Sequence, residues 1–403
     1  NSAIDAATAN PKTQIPGIVF VAVNKNGEEV VSHASGKRGV DTSEPMTLES
    51  IFSIASCTKM IGGIACMQLV EQGKLSLDDV DLAEKLCPEL KQVKIHKGYD
   101  AENKPILEEK KKRITLRMLL THTAGFGYSF FNPEVRELGL NEFSGRVEDV
   151  IHPLLFEPGT KFNYGTNIDW AGIMAERATG ISLNDYCQKN IFAPLGIKNI
   201  SFFPSAEMKS NLVHMSQRAP DGTLTTREHL LLAPLNAEPG SPEQKSILNS
   251  AGAGCFAAPR EYVRIIATLL NDGTSPTTGK QILKPETVKT MFENQIPQLP
   301  NFAREGLQAA IPELTNEIPE LYPQPHDQAQ GWGLTFMLTI SEGATGRGGN
   351  TGWWAGLPNL FWWADRERGV GGMVASQILP FGDPQVMGLW AQVEAAVYQG
   401  RAD

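Results

Sequence analysis

SIASCTKM (53–60) runs directly into IGGIACMQLVEQG (61–73). Ser56 and Lys59 stand three residues apart at what reads as the N-terminal end of an apolar helix, and side chains at that spacing share a helical face about one turn apart. The two can touch. A serine hydroxyl is a weak nucleophile until a base takes its proton, and a lysine serves as that base only where burial or another cation lowers its pKa. The apolar run MIGGIACM (60–67) supplies the burial, and an idle charge there would be costly. Helix-terminal amides near Ser56 would favour the oxyanion formed when an acyl carbonyl is attacked. SxxK arises by chance in long chains and serine caps helices, so the tetrapeptide alone says little. It occurs here once.

A partner for the pair lies in KFNYGTNIDWAG (161–172), where Tyr164 precedes a second helical pattern. A phenol held beside a lysine ammonium ionises more easily and can relay protons between nucleophile and leaving group. Taken singly, a tyrosine more often packs a core or loop. Asn167 either caps that helix or touches substrate. A third element is RGGNTGWWAGLPNLFWWAD (347–365), whose glycines let backbone approach a ligand and whose indoles could line an apolar acyl pocket. An edge-strand amide there would complete an oxyanion hole with that of Ser56. A glycine-rich turn beside a buried aromatic cluster accounts equally well for any one of these aromatics.

The 403 residues suffice for one large domain or two joined ones, and 41% apolar with 20% charged residues marks a globular chain. A net charge of -9 argues against phosphate-backbone binding, and KKKR (110–113) follows two glutamates as a solvated face would. Nucleic acid is not an expected partner. The five cysteines lack CxxC or His-paired spacing, which disfavours a disulfide framework and a zinc site. No metal or other cofactor is expected. No apolar run reaches the ~18 residues of a membrane helix, and NSAIDAATANPKTQ (1–14) lacks a secretory pattern. A cytoplasmic location without membrane attachment is the default expectation.

IPGIVFVAVNKNGEEVVSHASG (15–36) alternates β-branched and aromatic residues around Asn26-Gly27 and reads as a hairpin. GWGLTFMLTI (331–340), NLFWWAD (359–365) and GVGGMVASQIL (369–379) read as three further strands, the last two joined by a turn at Arg366 to Arg368, and a helix follows from about Gln385 to Tyr398. Strands distant in sequence must then share a sheet. Helical patterns occupy the middle, including TNIDWAGIMAERATG ending at Gly180 and PREYVRIIATLLNDG with Pro259 in its first turn. The segments 215–250 and 296–330 read as long surface loops that rim a pocket.

In order and separation these pieces resemble the serine β-lactamase and penicillin-binding-protein superfamily, whose first motif is SxxK. The resemblance covers nearly the whole chain. It is closest to the class C-like branch with the family VIII carboxylesterases and the fungal lovastatin-acyltransferase-type transesterases of polyketide metabolism. LLTHTAGF (119–126), YGTNIDWAG (164–172), ERATG (176–180) and APLGI (193–197) match that branch's connecting segments. The resemblance implies Ser56 as acyl-accepting nucleophile with Lys59 and Tyr164 as acid/base pair. The superfamily's Y-x-N becomes Tyr164-Gly165-Thr166-Asn167, its asparagine one place late, which weakens Asn167 as a catalytic residue. Its K-T-G strand motif is matched by Asn350-Thr351-Gly352 or by Trp354-Ala355-Gly356. The second register, like the esterase W-x-G, is preferred and places the Leu357 amide at the oxyanion beside that of Ser56. In either register the motif's cation is missing, with Trp354 at its place in the second, so a β-lactam or peptide carboxylate loses its anchor. Tyr128 and Phe381 take positions where the transesterases set aromatic groups over substrate.

The expected fold is therefore an α/β (α+β) β-lactamase/transpeptidase-like one, an antiparallel sheet flanked by helices with an α-rich insert. Residues 1–75 with 251–403 would form the catalytic domain and 76–250 the insert. The expected activity is acyl transfer or hydrolysis through a serine ester, from a small neutral ester or thioester, or an acyl-carrier domain, to a hydroxyl or water. A β-lactamase or D-amino-peptidase, a tailoring enzyme of another reaction type and a silent binding protein are the rivals. All three residues a silent protein would be expected to lose are present.

Overall fold

The computed structural model describes residues 1–400. Its centre is a seven-stranded antiparallel sheet built from β1 (Gly17–Asn24), β2 (Glu29–Gly36), β3 (Gly331–Trp332), β4 (Met337–Thr339), β5 (Thr351–Gly356), β6 (Leu360–Asp365) and β7 (Val370–Ala375). The strand order is β3-β4-β5-β6-β7-β1-β2. The hairpin of β1 and β2 turns through Gly27, whose φ of 80° suits a residue without Cβ. β1 then pairs with β7 in the register Val19↔Ala375 to Asn24↔Val370. Both faces are covered, so β1 and β6 are apolar almost throughout rather than alternating. On one face Tyr262 of α4 (Pro259–Leu270) meets Trp362. On the other Trp390 of α5 (Pro384–Tyr398) stacks on Phe361 with ring centroids 4.3 Å apart, and α1 (Ser2–Ala7) packs on α5.

Two helices bring the site to the end of this sheet. α2 (Thr58–Glu71) has apolar residues on every side and is accordingly buried on every side from Thr58 to Leu69. α3 (Asn167–Thr179) crosses it closely, helped by Gly62 and Gly172, which both face Ala251, and ends on Gly180 at φ 76°. No helix among the described residues is long and apolar enough to cross a membrane.

Several elements differ from the sequence expectation. Residues 331–340 are not one strand but a tight hairpin, Gly331↔Leu338 and Trp332↔Met337, because Gly333 lies against the Met291 carbonyl and Thr335 takes φ 87°. β5 is an interior strand, covered by β3 and β4, so the strand beside the nucleophile is not an edge strand. Residues 378–379 leave the main sheet and pair in parallel with Ser216 and Gln217. The segment 215–250 is not a plain loop: it holds the hairpin of Met215–Arg218 with Leu224–Arg227 and two one-turn helices. Within 296–330 no helix or strand forms, and that segment borders the cleft described next.

Candidate active site

Ser56 lies in a single 3-10 turn, Ala55–Cys57, that feeds into α2. Ala55 holds φ at 44°, a left-handed conformation that costs a non-glycine residue about 1–3 kcal/mol and lifts the next side chain out of the helix path. Behind it the Ile54 carbonyl touches the end of β5. A Cβ on Gly356 would lie 2.5 Å from that oxygen, so only glycine lets the strand pass this close and brings Leu357 beside Ser56.

Lys59, in the first turn of α2 and 0% exposed, directs its Nζ to three oxygens: Ser56 Oγ at 3.0 Å, Tyr128 Oη at 2.9 Å and the Gly252 carbonyl at 2.8 Å. Burial pulls its pKa down to about 7, against the opposing pull of the buried Asp169 carboxylate. As a free amine it has two N–H groups and one lone pair. The Gly252 carbonyl can only accept and the Tyr128 hydroxyl can accept, which leaves the lone pair for the Ser56 proton. On the opposite side Tyr164 donates its hydroxyl to Ser56 Oγ at 2.5 Å and accepts from Trp354 Nε1 at 3.0 Å. Burial holds the Tyr164 phenol above its ordinary range, although its bonds with Ser56 and Trp354 pull the other way. Lys59 Nζ also sits 4.6 Å from the Tyr164 ring centroid. One hydroxyl thus stands between an amine able to take a proton and a phenol able to give one.

The cleft around Ser56 has two chambers. The narrow one, with a cavity volume of about 20 Å³, contains Ser56 and Leu357 and is walled by Tyr128, Phe130, Phe143 and Phe381. The wide one, about 430 Å³, opens between Phe131, Phe162, Phe302 and Tyr322. Tyr164, Trp354, Phe131, Leu307 and Leu321 line both and form the waist between them. Behind the wide chamber, Arg347 and Glu394 form a buried two-pronged ion pair at 2.8 and 3.0 Å, and the guanidinium lies 3.8 Å over the Tyr322 ring.

Of the residues singled out in the sequence, Ser56, Lys59, Tyr128, Tyr164, Trp354, Gly356, Leu357 and Phe381 converge here. Asn167 does not. It is fully buried in the first turn of α3, where its amide nitrogen reaches His122 Nδ1 and the carbonyls of Phe126 and Asn163, so it neither faces the cleft nor caps the helix with its side chain. Asn350, Thr351 and Gly352 lie at the far end of β5, with Gly352 against Phe292 and Phe336, outside both chambers. Tyr128 does more than line a wall, since its hydroxyl is bonded to Lys59.

The sequence reading missed Asp169, Ser250 and Gly252. Asp169 accepts from Ser250 Oγ at 2.5 Å and from the Gly252 amide at 3.2 Å, which fixes the turn whose carbonyl receives Lys59. In the sequence Asp169 is one more acid in a helical first turn, and nothing local ties it to residue 250.

A protein-family model described as beta-lactamase matches residues 2–396. A lovastatin esterase of Penicillium rubens is 32% identical, over 91% of this chain and 90% of its own. A monacolin J acid methylbutanoyltransferase of Aspergillus terreus is 30% identical, over 96% and 92%. Among solved structures, a mutant simvastatin synthase from Aspergillus terreus superposes with a TM-score of 0.84 at 29% identity, covering 100% of this chain and 94% of its own.

Proposed function

The chain belongs to the beta-lactamase family and is a serine acyltransferase or esterase; from that premise we propose that it serves polyketide metabolism and that Ser56 carries the acyl group, with Lys59 and Tyr164 moving the protons. Lys59 as the free amine takes the Ser56 proton while Oγ attacks the acyl carbonyl. The oxyanion settles between the Ser56 and Leu357 amides. Tyr164 gives its proton to the departing oxygen or sulfur, leaving a phenolate beside the Lys59 ammonium. In the second half an acceptor hydroxyl or water loses its proton to Tyr164 and attacks the acyl-enzyme, and Lys59 returns its proton to Ser56. All three groups end as they began.

The observation that carries this reading is the placement of Ser56 Oγ between Lys59 Nζ and Tyr164 Oη at the junction of two apolar chambers. In this reading residues 1–75 and 251–403 supply nucleophile and oxyanion strand, and 76–250 supply Tyr128 and Tyr164. The donor is a small acyl ester or thioester, with an acyl-carrier domain as a thioester source. Hydrolysis and acyl transfer use the same residues, and the occupant of the wide chamber decides between them.

The test is intact-protein mass and initial rates with a series of p-nitrophenyl esters and acyl thioesters, set beside nitrocefin. An acyl adduct on Ser56 is expected, with efficiency rising from acetyl to short or medium acyl groups by about 0.8 kcal/mol per methylene that the narrow chamber buries. Nitrocefin should be a poor substrate. Efficient nitrocefin hydrolysis without preference among esters would make the protein a β-lactamase instead.

The acidity of Lys59 sets the pH dependence. Only the free amine accepts the serine proton, so acylation should fall about tenfold per unit below pH 7 and level off above it. A stopped-flow profile that is flat below pH 7 and falls about tenfold per unit above it would mean that protonated Lys59 is the working form.

A further inference from the structure

The residues that line the two chambers include five carboxylates and, among the described residues, no Lys, Arg or His. Glu142 and Asp169 in the narrow chamber are held by Ser129 and by Ser250 with Gly252. In the wide chamber Glu320 is paired with Arg304 at 3.2 Å, and that guanidinium otherwise bonds the main-chain oxygens of Gln324, Pro325 and Gln328, off the cavity. Glu134 and Glu305, both exposed, stand at the opening and form no ion pair among the described residues. The remaining lining is dominated by aromatic and aliphatic side chains. A body of about 430 Å³ fits there against aromatic and aliphatic walls interrupted by the neutral amides of Asn132, Asn163, Gln308 and Gln330, with negative charge at its entrance.

The two chambers also divide the reaction. Ser56 lines only the narrow one, together with Leu357, whereas Tyr164, which exchanges protons with the leaving or accepting oxygen, lines both. The acyl group therefore occupies the narrow chamber and the alcohol the wide one. Resting on the acyl-enzyme reading, we infer that the alcohol half of this enzyme's substrate is bulky, largely apolar and free of any carboxylate, and that the cleft rejects the anionic form of the same alcohol. The Aspergillus terreus relative is named for an acid; here a carboxylate would enter past Glu134 and Glu305 and find no cation to receive it.

The test uses matched butyryl esters of one bulky polycyclic alcohol, one with its side-chain carboxylate free and the other with it closed as a lactone or methyl ester. Acyl-enzyme formation from p-nitrophenyl butyrate is measured in the same preparation. The neutral ester should acylate Ser56 with kcat/KM at least about tenfold above the anionic one, a ratio that shrinks as salt rises. Glu134→Lys with Glu305→Lys should bring the ratio towards one or invert it. If p-nitrophenyl butyrate acylates Ser56 but the anionic ester reacts as fast as the neutral one, the inference fails alone. A ratio that persists unchanged in the double lysine variant removes the assigned cause and overturns it too. If no acyl-enzyme forms from any ester, the reading of the site falls and the inference with it.

Discussion

Ser56→Ala should abolish covalent acylation, lowering turnover by about 10⁴-fold or more, while the protein stays folded. The oxygen removed is the one that both Lys59 and Tyr164 address, and no second hydroxyl lies in the same position between them. Its structural cost is small for identifiable reasons. Ser56 makes no helix-capping hydrogen bond, Lys59 keeps Tyr128 and the Gly252 carbonyl, and Tyr164 keeps Trp354. The loss should be about 1 kcal/mol. Intact-protein mass after mixing with an acyl thioester, and a denaturation midpoint, check the two halves. A variant that still gains the acyl mass at the wild-type rate would place the nucleophile elsewhere.

The largest expected effect on stability lies behind the cleft. Glu394→Gln should cost about 3–5 kcal/mol, because it leaves the Arg347 charge buried without its counter-ion. Arg347 is 0% exposed, and besides Glu394 its charge meets the Thr339 hydroxyl and the faces of Tyr322, Trp353 and Trp390. Removing both charges is a different experiment. Arg347→Met with Glu394→Leu fills a similar volume without an orphan charge and should recover most of the loss. Urea midpoints for the single and double variants separate the outcomes: a single variant as stable as wild type would show that water or another group compensates Arg347. Because Tyr322 and Trp353 line the wide chamber and rest on this pair, the single variant should also weaken binding of bulky substrates.

The convergence of Ser56, Lys59 and Tyr164 was readable from sequence to the extent that it is local. Ser56 and Lys59 are bound by helical spacing, and Tyr164 stands just ahead of a strongly patterned helix. The strands and helices with clean apolar runs were equally visible, as were the family and its acyl-transfer chemistry. What stayed hidden depends on contacts between segments with no shared local pattern. Asp169, Gly252 and Tyr128 surround Lys59 from three separate stretches of chain, and only the tertiary packing of all three stretches around α2 assembles them. Asn167 was drawn to the cleft by motif analogy, yet the turn that starts α3 points it at His122. Residues 331–340 carry a good strand composition, but they fold back at Gly333, whose missing Cβ leaves room for the Met291 carbonyl, and at Thr335 with φ 87°.

β1 leaves the ribosome long before the strand that completes it. Val19 pairs with Ala375, a separation of more than 350 residues, and such non-local pairing must meet its loop-closure entropy before any contact rewards it. At about 5–20 residues per second, GIVFVAVN waits roughly 20 to 70 seconds for that strand, with its hairpin neighbour and later α4 as its earlier partners. High contact order of this kind favours slow refolding and exposes an apolar strand to aggregation meanwhile. It also orders the appearance of activity in time. Ser56, Lys59 and Tyr164 are all synthesised early, but Trp354 and the Leu357 amide follow only with β5, so on the proposed mechanism the nascent chain is chemically silent until its sheet closes.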